Sequence, residues 1–203
     1  MSMRVLFIAG SKSQREVYVS DLDGSNVRKM TNQRNIAVSP SLSPDGKYLS
    51  YTSYKDGRPN LYVVEAASGR EVFVDRDEGM KLGTGWLSGS TLGYSHTAGR
   101  FSTISTVDVG ARRKQTIMRE AGILASPSFS PDGRKMVFVS DMYGNPQIFV
   151  RDVGAGDAKR LTYSGTYNTS PSFSPKGDLI AFVCRLEGSF EICVMNADGS
   201  DQR

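Results

Sequence analysis

One histidine, two cysteines and a single Asp-x-Asp-Gly run are the residues of this 203-residue chain best suited by type to chemistry. His96 would act as a general base only beside a nucleophile and an orienting acid, and no Gly-x-Ser-x-Gly elbow stands in the sequence to supply the nucleophile. It reads as a surface or hydrogen-bonded histidine in a loop. Asp21-Leu22-Asp23-Gly24-Ser25-Asn26 opens like a calcium loop but lacks the later acidic ligand, and calcium needs about six or more oxygens, so a plain turn is expected there. Cys184 and Cys193, with one histidine, are too few for a zinc site or a disulfide scaffold. They fall on adjacent antiparallel segments, either as small buried hydrophobes or as a disulfide, which requires a favourable register. No catalytic residue, metal or cofactor is expected.

Composition narrows the class. With 38% hydrophobic and 23% charged residues the chain is an ordinary folded one. The longest apolar run, Leu179 to Cys184, falls far short of the ~20 residues of a membrane helix, and Val5 to Gly10 is too short for a secretory-signal core. The 25 basic and 21 acidic residues leave a net charge of +4. The basic residues are scattered, with Arg112-Arg113-Lys114 their one run of three, so nucleic acid and membrane insertion are not expected.

The elements that must position any site come from a repeat. Ser39-Pro40-Ser41-Leu42-Ser43-Pro44-Asp45-Gly46 returns at Ser126 to Gly133, and again at Ser170 to Gly177 with Lys176 in the aspartate position. Pro40 to Pro127 is 87 residues and Pro127 to Pro171 is 44, which calls for a hidden copy near residue 83. Thr84-Gly85-Trp86-Leu87-Ser88-Gly89 supplies a degraded one. The first segment joins the series, since Phe7, Glu16 to Val19 and Asp23-Gly24 precede Phe182, Glu191 to Val194 and Asp198-Gly199 by 175 residues.

Each unit reads as four short strands. Pro-Asp-Gly closes a tight turn, proline fixing one φ and glycine taking a positive one. Segments rich in aromatic and β-branched residues follow, such as Tyr48 to Ser53 and Asn60 to Glu65, with a glycine turn at Ser68-Gly69 before a fourth strand. Ala111 to Ala121, free of Gly and Pro, is the best helical competitor, but it falls where the other copies place their fourth strand. A lone four-stranded unit cannot bury both apolar faces, so the units must pack face to face around an axis as the blades of a β-propeller. The expected fold is all-β, one propeller domain over 1–203, with blade units at about 4–30, 39–74, 83–118, 126–162 and 170–203. Trp86 is expected to anchor one blade on the next.

The phrase Ser-Pro-Ser-Phe-Ser-Pro-Asp-Gly, followed by an apolar strand and Phe149-Val150-Arg151-Asp152, resembles the PD40 repeat of TolB-type propellers, as do Phe138 to Gly144 and Ala197-Asp198-Gly199-Ser200. The resemblance implies a partial six-bladed ring, about five blades of it encoded here, whose unclosed edges would self-associate. It also implies a non-enzymatic, periplasmic interaction scaffold of the Tol-Pal cell-envelope system that binds the peptidoglycan-associated lipoprotein Pal, or a Pal-like partner, at the propeller mouth. The alternative is a gate or scaffold domain of a prolyl-oligopeptidase-like hydrolase whose catalytic domain lies outside this chain. The segments entering the inner strands would ring the mouth, and Asn35, Ile36, Met80, Leu82, Thr84, Ile123, Leu124, Tyr167, Asn168 and Thr169 are the residues expected to meet the partner there.

Overall fold

A computed structural model describes residues 4–154 and 156–203, and among them it contains eighteen β-strands and no helix. They form five antiparallel sheets in chain order. The first holds β1 (Arg4–Gly10), β2 (Arg15–Asp21) and β3 (Arg28–Lys29). The second holds β4 (Ala37–Leu42), β5 (Tyr48–Ser53), β6 (Asn60–Glu65) and β7 (Glu71–Asp75). The third runs through β8 (Met80–Trp86), β9 (Thr91–Ala98), β10 (Phe101–Asp108) and β11 (Arg113–Ala121). The fourth comprises β12 (Leu124–Phe129), β13 (Lys135–Ser140), β14 (Gln147–Asp152) and β15 (Lys159–Arg160), and the fifth β16 (Asn168–Phe173), β17 (Leu179–Leu186) and β18 (Ser189–Asn196). The five sheets are the blades of a β-propeller. The segment weighed as a helix is β11, paired along β10 from Phe101↔Ala121 to Asp108↔Arg113.

Local chemistry fixes the turns. In the second blade Gly46, at φ 72°, donates its N–H to the Ser43 carbonyl at 2.8 Å. The Asp45 carboxylate accepts from the Ser43 hydroxyl at 2.6 Å and the Lys47 N–H at 3.0 Å. The fourth blade repeats this with Ser130, Asp132 and Arg134. Where Lys176 replaces the aspartate, Ser174 turns instead to Asp178 at 2.6 Å.

The inner strands carry a second shared device. Ser39, Ser126 and Ser170 sit in the left-handed region at φ 52°, 51° and 53°, and Gly83 takes the same place in the third blade at 60°. Each lies where the pairing with the next strand shifts register, a β-bulge in β4, β8, β12 and β16.

Four apolar layers join neighbouring blades. Val17 packs with Leu49, Tyr51 and Val64, Leu61 and Val63 with Leu92 and Tyr94, Ile104 with Phe129 and Phe138, and Ile148 and Leu161 with Ile180 and Phe182. Each fully buried aliphatic or aromatic side chain contributes about 1.5–3 kcal/mol. The third blade, weakest in the repeat, is weak for a packing reason. An added Cβ on Gly85 would lie 2.6 Å from the Pro127 carbonyl oxygen, and one on Gly83 2.8 Å from the Ser126 Cα, so the fourth blade's inner strand leaves no room for side chains there. Trp86 anchors as expected, stacked on Tyr48 at 6.1 Å between centroids with Nε1 donating to the Ser41 carbonyl at 3.2 Å.

One placement differs from the sequence reading, and one alternative left open there is settled. His96 lies on β9, not in a loop, and its Nε2 donates to the Glu78 carbonyl at 2.6 Å. Cys184 and Cys193 are bonded, with Cα atoms 5.9 Å apart. They are diagonal neighbours, Cys184 opposite Glu191 and Cys193 opposite Phe182. The Asp21 to Asn26 segment is a turn, Asp23 accepting from the Ser25 N–H at 2.9 Å and hydroxyl at 2.7 Å, and Asp21 from the Asn26 amide at 2.7 Å.

Candidate functional site

The inner strands β4, β8, β12 and β16 line an axial channel of about 380 Å³, faced by Thr84, Trp86, Pro127 and Pro171 among others. At the end where these strands begin, the repeat brings four equivalent residues to the rim: Ile36, Met80, Ile123 and Tyr167. Ile36 is half-buried, and the other three are exposed by 38%, 41% and 38%. All four are apolar or amphipathic, a composition that suits the centre of a protein interface.

Period-two alternation decides which neighbours join them. One residue further on stand Ala37, Lys81, Leu124 and Asn168, all buried. Two further on come Val38, Leu82, Ala125 and Thr169, partly or fully exposed again. Leu124 and Asn168 therefore do not face a partner, which corrects their expected placement. Leu124 belongs to the apolar layer between the third and fourth blades. Asn168 donates its amide to Gln147 Oε1 and to the Ser164 carbonyl, both at 2.9 Å. Val38 and Ala125 are members of the outward tier that the sequence reading missed, and strict alignment of the four bulge positions would have found them. Met80, Leu82, Thr84 and Thr169 also lie on strands instead of in loops.

The rim is held by contacts to the ends of the second strands and the loops that follow them. Ile36 accepts at its carbonyl from the Tyr54 N–H at 3.2 Å, and Tyr167 from the Arg185 N–H at 3.0 Å. The Ile123 N–H donates to Asp141 Oδ1 at 2.7 Å, close enough that a Cβ on Gly122, at φ 97°, would meet that oxygen at 2.5 Å. Asn35 ties its loop to the next, donating to the Tyr54 carbonyl at 3.2 Å. Thr84 donates to the Ser39 carbonyl at 3.3 Å and sits 3.2 Å from the Ser50 hydroxyl, so its polar group serves the joint between blades.

Beneath Met80 lies a charged cluster built on the buried Lys81 and Asp75. Lys81, fully buried, directs its ammonium to the carbonyls of Asp77 and Gly79 and lies 4.0 Å from Asp75. Asp75 accepts from the Tyr94 hydroxyl at 2.5 Å and from Lys114 at 2.9 Å, and Lys114 also reaches Asp77 at 2.7 Å. Burial pushes the Asp75 carboxyl up, but these donors outweigh it and hold the group below its ordinary value. Burial drives the Lys81 ammonium down and the Tyr94 hydroxyl up. Its inner members, Lys81 and Asp75, are buried and hydrogen-bonded, while Lys114 and Asp77 close it on the exposed side, so the cluster stiffens the base of the rim. Among the described residues no three His, Cys, Asp or Glu side chains are grouped to hold a metal.

Comparison with known proteins agrees with this architecture. The model of the TolB beta propeller domain, PD40, matches residues 1–203. A protein TolB homolog of Chlorobium luteolum is 38% identical over 155 residues, covering 76% of this chain and 35% of its own length. The Tol-Pal system protein TolB of Bordetella pertussis is 36% identical over 159 residues, 77% of this chain and 36% of its own. The chain thus spans about a third of the curated relatives it matches. The crystal structure of TolB from Acinetobacter baumannii shares the fold with a TM-score of 0.86 at 24% identity, over 98% of this chain and 51% of that one. The chain belongs to the TolB β-propeller domain family.

Proposed function

We propose that this propeller is a non-enzymatic binding module of a Tol-Pal envelope system, docking a Pal-like peptidoglycan-associated lipoprotein over the channel mouth in the periplasm. The observation that carries the reading is the ring of Ile36, Met80, Ile123 and Tyr167, four equivalent side chains presented together at one end of the axis. Leu82 and Thr169 form the tier within it, and Asn35 and Thr84 fix its backbone. Because strands hold the rim before any partner arrives, little ordering cost opposes docking. The disulfide between Cys184 and Cys193 supports an oxidising compartment. The outer face of the fifth blade, with Phe190 and Ile192 exposed, supports self-association as a second contact of the module.

Surface plasmon resonance against the soluble domain of a Pal-like lipoprotein tests the reading. Replacing Met80 and Ile123 together by glutamate is expected to weaken binding about tenfold or more, as for the centre of an interface, without lowering the melting temperature. Unchanged affinity in a folded double variant, or no binding by the unaltered chain, would overturn it.

A further inference from the structure

On the flank of the propeller, between the first and second blades, lies a groove of about 670 Å³ that shares no residue with the mouth. Arg28 and Lys29 of β3 line it on one side, turn residues 66–69 on the other, and the buried Tyr51 lies between. The matching place between the fourth and fifth blades is filled. There a Cβ on Gly199 would touch Leu161 Cδ2 at 2.9 Å, and the Gln202 amide donates to the Leu161 carbonyl at 2.8 Å. Gly69, the counterpart of Gly199, would meet nothing within 4 Å, and Val72 stands where Gln202 would follow. The fourth and fifth blades thus close a place that stands open here, while the matching place between the second and third blades, lined by Val72, Val74, Arg76 and Arg112 among others, holds about 330 Å³.

Three features of the groove await a ligand. Gln33 Oε1 is buried and accepts no hydrogen bond among the described residues. β3 is the outermost strand of its sheet, with one edge unpaired among the described residues. Arg28 forms no ion pair among the described residues, while Lys29 lies 3.4 Å from Glu16. We propose that the groove binds an acidic peptide segment in extended conformation. Its main chain pairs with the open edge of β3 and donates to Gln33 Oε1, and its carboxylates meet Arg28 and Lys29.

The probe is a capped, fluorescein-labelled peptide of three alternating valine and glutamate pairs, titrated into the whole chain by fluorescence anisotropy. Saturable binding that weakens with added salt is expected. Arg28→Glu and Gln33→Met are each expected to weaken it about fivefold. No binding of the acidic peptide, equal binding of a peptide with lysine in place of glutamate, or undiminished binding by folded variants would each overturn the proposal. Amide shift mapping on the unaltered chain decides without any variant. Shifts confined to residues 28–33 and 66–69 support the groove, and shifts centred on Ile36, Met80 and Ile123 place the peptide at the mouth and refute it.

Discussion

The ring of Phe129 occupies the volume that a side chain at residue 93 would need, for a Cβ on Gly93 would lie 2.3 Å from its Cε2. The fourth blade thus locks onto the third through a missing side chain. Gly93→Ala is expected to cost about 2 kcal/mol in urea unfolding, the scale of overpacking in a tight core. Phe129→Leu in the same chain should return part of that loss, so the double variant is more stable than the sum of the singles implies.

Asp75 sets the acid side of the stability profile. Unfolded, its carboxyl titrates near the ordinary value of about 3.9, while in the fold it is held lower, as Glu16 is by Thr31 and the N–H groups of Gln33 and Arg34. The folded state then binds fewer protons between the two values, so both groups stabilise it above the ordinary carboxylate pKa. That contribution is lost as pH falls through the folded value. Asp75→Asn leaves the buried Lys81 without its counter-charge and is expected to cost about 3 kcal/mol at neutral pH. Melting curves between neutral and acid pH should show a shallower decline in the variant.

Adjacent residues at the mouth should respond in opposite ways. Ile123→Ser removes an exposed side chain and is expected to shift stability by less than about 0.5 kcal/mol. Leu124→Ser empties a buried site and adds a hydroxyl, costing about 3 kcal/mol or more. Equal melting temperatures for the two would refute the alternation assigned to β12.

The Cys184–Cys193 bond closes a short loop, and replacing both cysteines by alanine is expected to lower stability by about 2.5 kcal/mol. Reductant should destabilise the unaltered chain similarly and leave the alanine variant's urea midpoint where it was.

Much of this architecture is written in the sequence because its turns are chemically specified. Pro44-Asp45-Gly46 and its copies mark where each inner strand ends, so sheet order followed from spacing alone. The other end of those strands carries no comparable signal. Met80 and Leu124 stand in separate segments that read alike as loops entering inner strands, yet a single step along a strand moves a side chain from the rim to the core. The disulfide was undecidable for a related reason, since its partners meet diagonally and depend on register. The degeneracy of the third repeat was visible, but its cause lay in Pro127 and Phe129, residues of the neighbouring blade. Nothing local to Arg28 or Gln33 announces the flank groove, which exists because a contact made elsewhere by Gly199 and Gln202 is not repeated there.

The left-handed serines at 39, 126 and 170 have a consequence for how such a molecule can diversify. Each kink divides an inner strand into an upper stub that addresses the outside and a lower stub that grips the adjoining blade. Above the kink only alternate residues face outward, Ile36, Met80, Ile123 and Tyr167 among them, while Ala37 and Leu124 between them still belong to the layers that join blades. The docking end can therefore be rewritten at every second position while the wheel itself keeps its shape.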